Sequence, residues 1–453
     1  MNLKSIITVM ALILIMFMAA IETSIISLAL PTIKNSLNAG NLVSLVFTVY
    51  FIALVIANPI VGELMSRFKI IYIAVVGVLL FALGSLMSGL SQTFTFLIIS
   101  RTVQGFGAGV MMSLSQIVPK LAFEIPLRYK IMGIVGSVWG ISSIIGPLLG
   151  GAILEFASWH WLFYINIPIA IVAIILVLMT FHFPDETQVQ QSRFDIKGLI
   201  IFYIFIALLM FGLLNQHHII FNIFSIILAL AVLWLLFKIE NSIEQPFLPT
   251  KEFNISIVLV FITDLLIAIT LMGYNLYIPV YLQEKLSLSP LQSGFVIFPL
   301  SVAWITLNFN LAKIEAHFTR KTLYICSFFV LLVSSLMIMF GLKLPLLIAF
   351  AVVFAGLSFG YIYTKDSVIV QEETSPKNMK KMMSFYALTK NLGSSVGSTI
   401  MGYMYALNVG LFGSNLHNVL GLVLIIAVCL IVMWMTLYLS LIHISERAGK
   451  ADR

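Results

Sequence analysis

Three ionisable residues sit inside stretches of sequence that are otherwise almost wholly apolar. Glu22 stands in Ile-Glu-Thr-Ser, Arg101 in Ser-Arg-Thr-Val-Gln, and Asp264 in Ile-Thr-Asp-Leu. A charge held in hydrocarbon without a partner costs about 2.5 kcal/mol or more, so each such residue is a functional candidate by default. Glu22 lies nine residues before Pro31, about 13 Å along a helix at about 1.5 Å per residue. Arg101 is about 9 Å into its own run on the same arithmetic. If their helices are neighbours the two can pair. Burial opposes ionisation of a carboxyl and a nearby cation favours it, so such a pair can load and release a proton. A permanent structural ion pair is the alternative. Asp264 lies near the middle of its run and is a second proton site, a cation contact, or a helix–helix hydrogen bond.

Other chemistry is sparse. Cys326 and Cys429 are isolated, which excludes a disulfide framework and a paired-cysteine metal site. The His217–His218 pair has no evident third ligand, and no metal is expected. No nucleophile–base pair or phosphate-cradling loop is visible, so the chain is not expected to be an enzyme and needs no cofactor. A channel is the remaining rival class.

The elements that must carry these residues follow from composition. Of 453 residues, 61% are hydrophobic and 9% charged, against about 25% charged in a soluble protein. So few polar groups cannot cover a water-facing surface, and the expected class is an all-α polytopic membrane protein. A crossing needs about 20 mainly apolar residues. Fourteen runs qualify, near 5–30, 43–64, 71–91, 95–117, 131–154, 161–181, 196–215, 219–238, 254–281, 291–312, 322–341, 346–364, 385–406 and 419–441. The apolar N-terminus does not read as a signal peptide, because no small-residue cleavage site interrupts it before Pro31.

Basic residues mark the sides. With the N-terminus inside, alternate loops and the tail collect 21 of the 25 Lys and Arg, leaving Lys34, Lys285 and Lys343 outside and Arg101 within a run. Both termini are therefore expected in the cytoplasm, and the net charge of +7 reflects topology rather than nucleic-acid binding. Polar stretches divide the chain into a six-helix bundle at 1–182, a linker with two additional helices at 183–252, a second six-helix bundle at 253–441, and a tail at 442–453. Faint repeats relate the bundles. Leu-Pro-Thr-Ile-Lys at 30–34 is echoed by Ile-Pro-Val-Tyr-Leu at 278–282, and the glycines of the fifth run by Gly393, Gly397 and Gly402. Such repeats recur in transporters whose halves rock about a central site.

Several motifs together resemble the major facilitator superfamily, and within it the fourteen-span drug:proton antiporter family. The fourth run carries Arg101-Thr-Val-Gln104-Gly105-Phe-Gly107-Ala108, and the fifth carries the antiporter pattern Gly146-Pro147-Leu-Leu-Gly150-Gly151. Trp159-His-Trp161-Leu-Phe-Tyr-Ile-Asn166-Ile-Pro168 follows, and Glu22-Thr-Ser leads to Leu30-Pro31 where the family has an aspartate. One motif departs. After the second run the family reads Gly-x-Leu-x-Asp-Arg-x-Gly, whereas this chain reads Gly62-Glu-Leu64-Met-Ser66-Arg67-Phe-Lys69, keeping only Arg67 of the charged latch.

The resemblance implies a major facilitator fold and proton-driven export of drugs by alternating access, with no cofactor beyond the proton gradient. Among the family, the chain is similar to staphylococcal multidrug exporters of fluoroquinolones and dyes. Glu22 and Asp264 would couple protons and contact substrate with Asn166. Arg101 would tune Glu22, while Gln104, the motif glycines, Pro147 and Arg67 would serve conformation. The tenth run lacks the acid of the family's bivalent-cation exporters, which points to monovalent cations or zwitterions: dyes, fluoroquinolones, quaternary ammonium compounds. The expected partners are small-molecule drugs, protons and the bilayer of the cell membrane, with the chain a monomer. A dedicated exporter of an endogenous metabolite or lipid is the alternative.

Overall fold

A computed structural model describes residues 3–124, 127–183, 195–214, 219–243, 248–375, 378–407 and 415–451, with the side chains of Arg67 and some neighbours left out. His217, His218 and Lys377 lie outside the described residues. In chain order the helices are α1 (Leu3–Ser36), α2 (Leu45–Arg67), α3 (Ile70–Gly89), α4 (Phe94–Ala122), α5 (Leu127–Phe156), α6 (Trp161–Tyr164) and α7 (Asn166–Thr180). Next come α8 (Ile196–Leu214), α9 (Ile219–Glu240), α10 (Ile255–Met272), α11 (Ile278–Leu286), α12 (Pro290–Glu315), α13 (Arg320–Phe340), α14 (Pro345–Glu373), α15 (Met379–Ala406) and α16 (Asn415–Ala451).

Long apolar runs become long helices because a backbone away from water must satisfy its own donors and acceptors. Polar residues start several of them. Thr93 accepts from Phe96 N at 3.3 Å, Asn254 from Ile257 N at 2.8 Å and Thr319 from Thr322 N at 3.3 Å, each relieving one orphan donor of a helix N-terminus. A π-turn at Gly273–Tyr277 joins α10 to α11 without a break. Among the described residues, twelve helical segments are long and apolar enough to cross a membrane. Helix α5 contributes only the shorter apolar stretch Ile145–Phe156 to that measure, and α15 is not in the set. Length and apolarity thus mark twelve candidate crossings among the described residues, not the fourteen expected.

The largest differences from the expected boundaries are at four helices, and the greatest is at the C-terminal end, where α16 runs on to Ala451 rather than ending at 441, so the segment expected as a tail is helical through Ala451. Helix α1 continues through Pro31 to Ser36, and α14 runs on to Glu373 rather than ending at 364. Helix α15 begins at Met379 rather than 385. Lys365 consequently lies within α14 and Asp366 becomes a further intrahelical acid, while Lys390 lies inside α15, as its place in the 385–406 run implies although the loop tally of basic residues includes it. Length decides this: a charged side chain near a helix end breaks hydropathy without breaking the helix.

Helices α1–α7 pack on one another, as do α10–α16, and the two blocks meet through α5 against α12 and α2 against α15. Lys34 joins Glu284 at 2.8 Å, Gln283 donates to Leu28 O at 3.1 Å, and Thr48 bonds Ser398 and Thr399 at 2.7 and 2.9 Å. These contacts cluster at the end of the bundle where α1 turns into α2. Helices α8 and α9 pair with each other; Tyr203 donates to Ile56 O at 2.7 Å and Met210 Sδ accepts from Ser395 at 3.6 Å, so the pair lies along α2 and α15. Its outer face is apolar, with Phe224 63% and Trp234 65% exposed, as a surface that faces lipid rather than water would be.

Candidate functional site: a buried polar cluster in each block

Glu22, from α1, is 1% exposed, and Arg101, from α4, is completely buried. Their ion pair spans 2.5 Å from Arg101 Nη1 to Glu22 Oε1. The same nitrogen donates to Gln104 Oε1 at 2.6 Å, one helical turn along, and Nε donates to Val46 O at 3.1 Å on α2. Asn166, the first residue of α7, donates to Glu22 Oε2 at 2.8 Å. Ser85, on α3, accepts from Gln104 Nε2 at 2.7 Å and from Asn166 Nδ2 at 3.1 Å. Below the guanidinium lies the Tyr50 ring, 4.3 Å from Arg101 Cζ to its centroid. Five helices thus converge on one carboxylate. Arg101 Nη2, Asn166 Oδ1 and the Tyr50 hydroxyl have no hydrogen-bond partner there, leaving polar capacity for a water or a ligand group.

Glu22, Arg101, Gln104 and Asn166, singled out in the sequence, are brought together here. Ser85 and Tyr50 were not, since one serine and one tyrosine among many carry no positional signal. Glu22 also lies deeper than expected: fourteen residues, about 21 Å, separate it from the end of α1 at Ser36.

The motif glycines explain how the helices come so close. A Cβ at Gly105 would strike α2 at Tyr50 O and Ala53, and one at Gly107 would meet the α3 backbone at Phe81. On α5, Gly146 faces Ser24 and Gly150 faces Ile25 of α1, whereas Gly151 turns to Leu291 of α12. The Pro147 carbonyl lies against Gly294 of the same helix. Helix α5 is therefore gripped between the helix bearing Glu22 and the opposite block, with backbones at a separation only small residues allow.

Asp264 belongs to a separate cluster. It is completely buried on α10, and neither carboxylate oxygen meets hydrogen-bond geometry with a described group. Its polar neighbours are the Tyr386 hydroxyl, which approaches it closely, and Lys390, both on α15. Asp366, on α14, is also completely buried, accepts a short hydrogen bond from Tyr324 and feels the charge of Asp264. The hydropathy break at Lys365-Asp366 concealed this acid, because it reads as a loop. Tyr324 stacks on Trp434 with centroids 3.8 Å apart, and Trp434 donates to Thr263 Oγ1 at 2.9 Å, so the cluster is braced by α13 and α16. Among the described residues no group of His, Cys, Asp and Glu could hold a metal ion.

Two packed blocks of membrane-length apolar helices that bury ion-pairing residues define a polytopic membrane protein. The sequence profile of the Major Facilitator Superfamily matches residues 12–398, and the chain belongs to that superfamily. It is 74% identical over 438 residues to the multidrug efflux pump SdrM of Staphylococcus aureus (strain N315), covering 97% of this chain and 98% of that one. It is 25% identical to the multidrug transporter protein MdtP of Bacillus subtilis (strain 168), over 88% of this chain and 75% of the relative. Among solved structures, a bacterial homologue of the human lysosomal transporter Spinster, inward-facing and unoccupied, matches with a TM-score of 0.69 at 14% identity, covering 97% and 98% of the two chains. The D-xylose–proton symporter matches at 0.68 and 13%, over 94% of this chain and 97% of that one. These two show the fold alone.

Proposed function

We propose that this chain is a proton-coupled multidrug exporter of the cell membrane, moving lipophilic cationic and zwitterionic drugs by alternating access. The single observation that carries the reading is the Glu22 carboxylate, buried between Arg101 and Asn166 in a chain 74% identical to a multidrug efflux pump. It works as a monomer without cofactor or catalytic chemistry, with both termini in the cytoplasm and α5 and α15 crossing as well, for fourteen spans in all. The blocks at 1–182 and 253–441 rock, and the 183–252 segment carries the additional pair.

In the conformation described, Lys34–Glu284 and the α2–α15 hydroxyl contacts close the outer end. Drug then enters from the cytoplasmic side or the inner leaflet. A proton reaching Glu22 from outside neutralises the acceptor of both Arg101 and Asn166. Those donors are released, α1 loosens from α4 and α7, and the hold on a cationic drug weakens. Asp264 is the corresponding acid of the second block. Gradient coupling requires that drug and proton favour different states, since a ligand binding both equally shifts neither.

The test is ethidium or norfloxacin transport in proteoliposomes under an imposed pH gradient. Wild type accumulates drug uphill; Glu22→Gln does not, and Asp264→Asn is impaired. Full uphill transport by Glu22→Gln would remove the assigned proton site. Absence of transport of either drug by wild type would overturn the substrate reading.

A further inference from the structure

Lys390 occupies an unusual place for an ammonium group. It lies eleven residues into α15, half-buried, with its Nζ 4.0 Å from the centroid of the Tyr363 ring on α14. Trp304 of α12 lies parallel to the same ring, with centroids 5.4 Å apart and planes 9° from coplanar. Tyr386 donates to the Tyr363 carbonyl at 3.3 Å, which fixes the backbone behind the ring. Asp264 feels the Lys390 charge, and Asp366 acts on the same ring hydroxyl.

The cluster holds more acid groups than ammonium groups. Asp264 faces the Lys390 ammonium, while Asp366, bonded to Tyr324, acts on Asp264 and on the Tyr363 hydroxyl without an ammonium of its own among the described contacts; Oδ2 of Asp366 and the Tyr363 hydroxyl have no hydrogen-bond partner. An aromatic face beside buried carboxyl groups suits a cation that is bulky and weakly hydrated. Lysine meets only half of that description. Its ammonium is compact and strongly hydrated, so desolvating it against an aromatic ring costs more than desolvating a delocalised organic cation.

We propose that the Tyr363 face, flanked by Trp304, Asp264 and Asp366, is the seat for a monovalent organic cation, and that Lys390 is a built-in occupant which the drug displaces. The seat deepens the export reading and rests on it. Cargo with a delocalised positive charge gains the ring and the carboxylates, while Lys390 swings off along its flexible stem. Neutral cargo gains nothing from the exchange. Lys390 thereby acts as a specificity residue: it sets a threshold that a cation must exceed, and fills the seat when none is present.

The test is equilibrium binding to the purified full-length protein in detergent, with tetraphenylphosphonium and ethidium as cations and Nile red as a neutral probe. Lys390→Met removes the competitor and is expected to tighten both cations about five- to tenfold, leaving Nile red within twofold. Lys390→Arg keeps a cation on the ring and is expected to bind like wild type. Tyr363→Leu is expected to weaken the cations about tenfold while sparing Nile red, and it carries the test should Lys390→Met not yield monodisperse protein. Unchanged or weaker cation binding in Lys390→Met would overturn the proposal, as would unchanged cation binding in Tyr363→Leu. If wild type exports these cations in proteoliposomes and the variants bind as wild type does, the seat fails and the export reading stands. If wild type neither binds nor exports them, both fall.

Discussion

At the scale of single residues, the Glu22–Arg101 pair is informative for what each partner would do alone. Replacing a buried ion pair by apolar groups is often neutral, whereas removing one member strands the other and costs about 3–5 kcal/mol. Arg101 neutralises a fully buried carboxylate and holds Gln104 and Val46 O besides. Arg101→Met should therefore lower thermal stability in detergent strongly. The double variant Arg101→Met/Glu22→Gln should recover more than half of the loss, because no charge is left uncompensated. A double variant no more stable than the single would show that packing over Tyr50, not charge, is what Arg101 supplies. This pair was legible in the sequence because charge inside an apolar run is rare. Asp366 was not, because it stands next to Lys365 and the two together look like the end of a helix. Ser85 was not either, since its role as the acceptor shared by Gln104 and Asn166 depends on α3 and α7 lying side by side.

At the scale of elements, the seams between helices separate contacts that hold from contacts that must break. Lys34 and Glu284 are 29% and 23% exposed, and a pair so placed is worth about 1 kcal/mol or less. A contact that weak suits a gate opened once per cycle. With Cys326 and Cys429 first replaced by serine, Lys34→Cys/Glu284→Cys joined by a bis-methanethiosulfonate linker should lose transport and regain it on reduction. Undiminished transport by the linked protein would show that this end does not open. Glu252 lies on a seam that holds: it accepts from the Ser375 side chain at 2.6 Å, Ser375 N at 3.1 Å and Asn378 Nδ2 at 2.6 Å, tying the start of α10 to the α14–α15 connection. Those bonds, the Ser375 hydroxyl first, hold its carboxyl below the usual value. Its folded-state value being the lower one, the stability it adds is present at neutral pH and lost as the pH falls through the carboxylate range. Glu252→Ala should cost about 1 kcal/mol at pH 7.5 after solvent screening. The gap to wild type in melting temperature should narrow at pH 4; an equal gap at both would assign the effect to packing. Glycine spacing made the close approach of α5 readable, but not its two neighbours. Which helix each glycine faces is fixed by how the blocks pack, and a spacing of four records only that something comes near.

At the scale of the whole molecule, the apolar runs declared the class and most of the helices, because hydrocarbon leaves a chain few alternatives. The arrangement of the blocks was less visible. The α2–α15 part of their seam is built from Thr48, Ser395, Ser398 and Thr399, hydroxyls that look like ordinary small residues until two helices share them. The proposed exporter has to exchange sides without leaking, and this separates two consequences of neutralising Glu22. Uphill export needs the proton to load and leave once per cycle. Exchange of drug for drug across the membrane needs only that the loaded carrier change sides, with no net proton movement. Glu22→Gln resembles the protonated acid in charge but cannot release its proton. It should abolish gradient-driven accumulation while keeping drug-for-drug exchange within about tenfold of wild type, the cost of about 1.4 kcal/mol in drug affinity. Preloaded proteoliposomes with radiolabelled norfloxacin outside read the exchange directly. Loss of exchange along with accumulation would mean that the Glu22 charge is needed to bind cargo or to change conformation, and proton coupling would then have to be sought at the Asp264–Asp366 cluster.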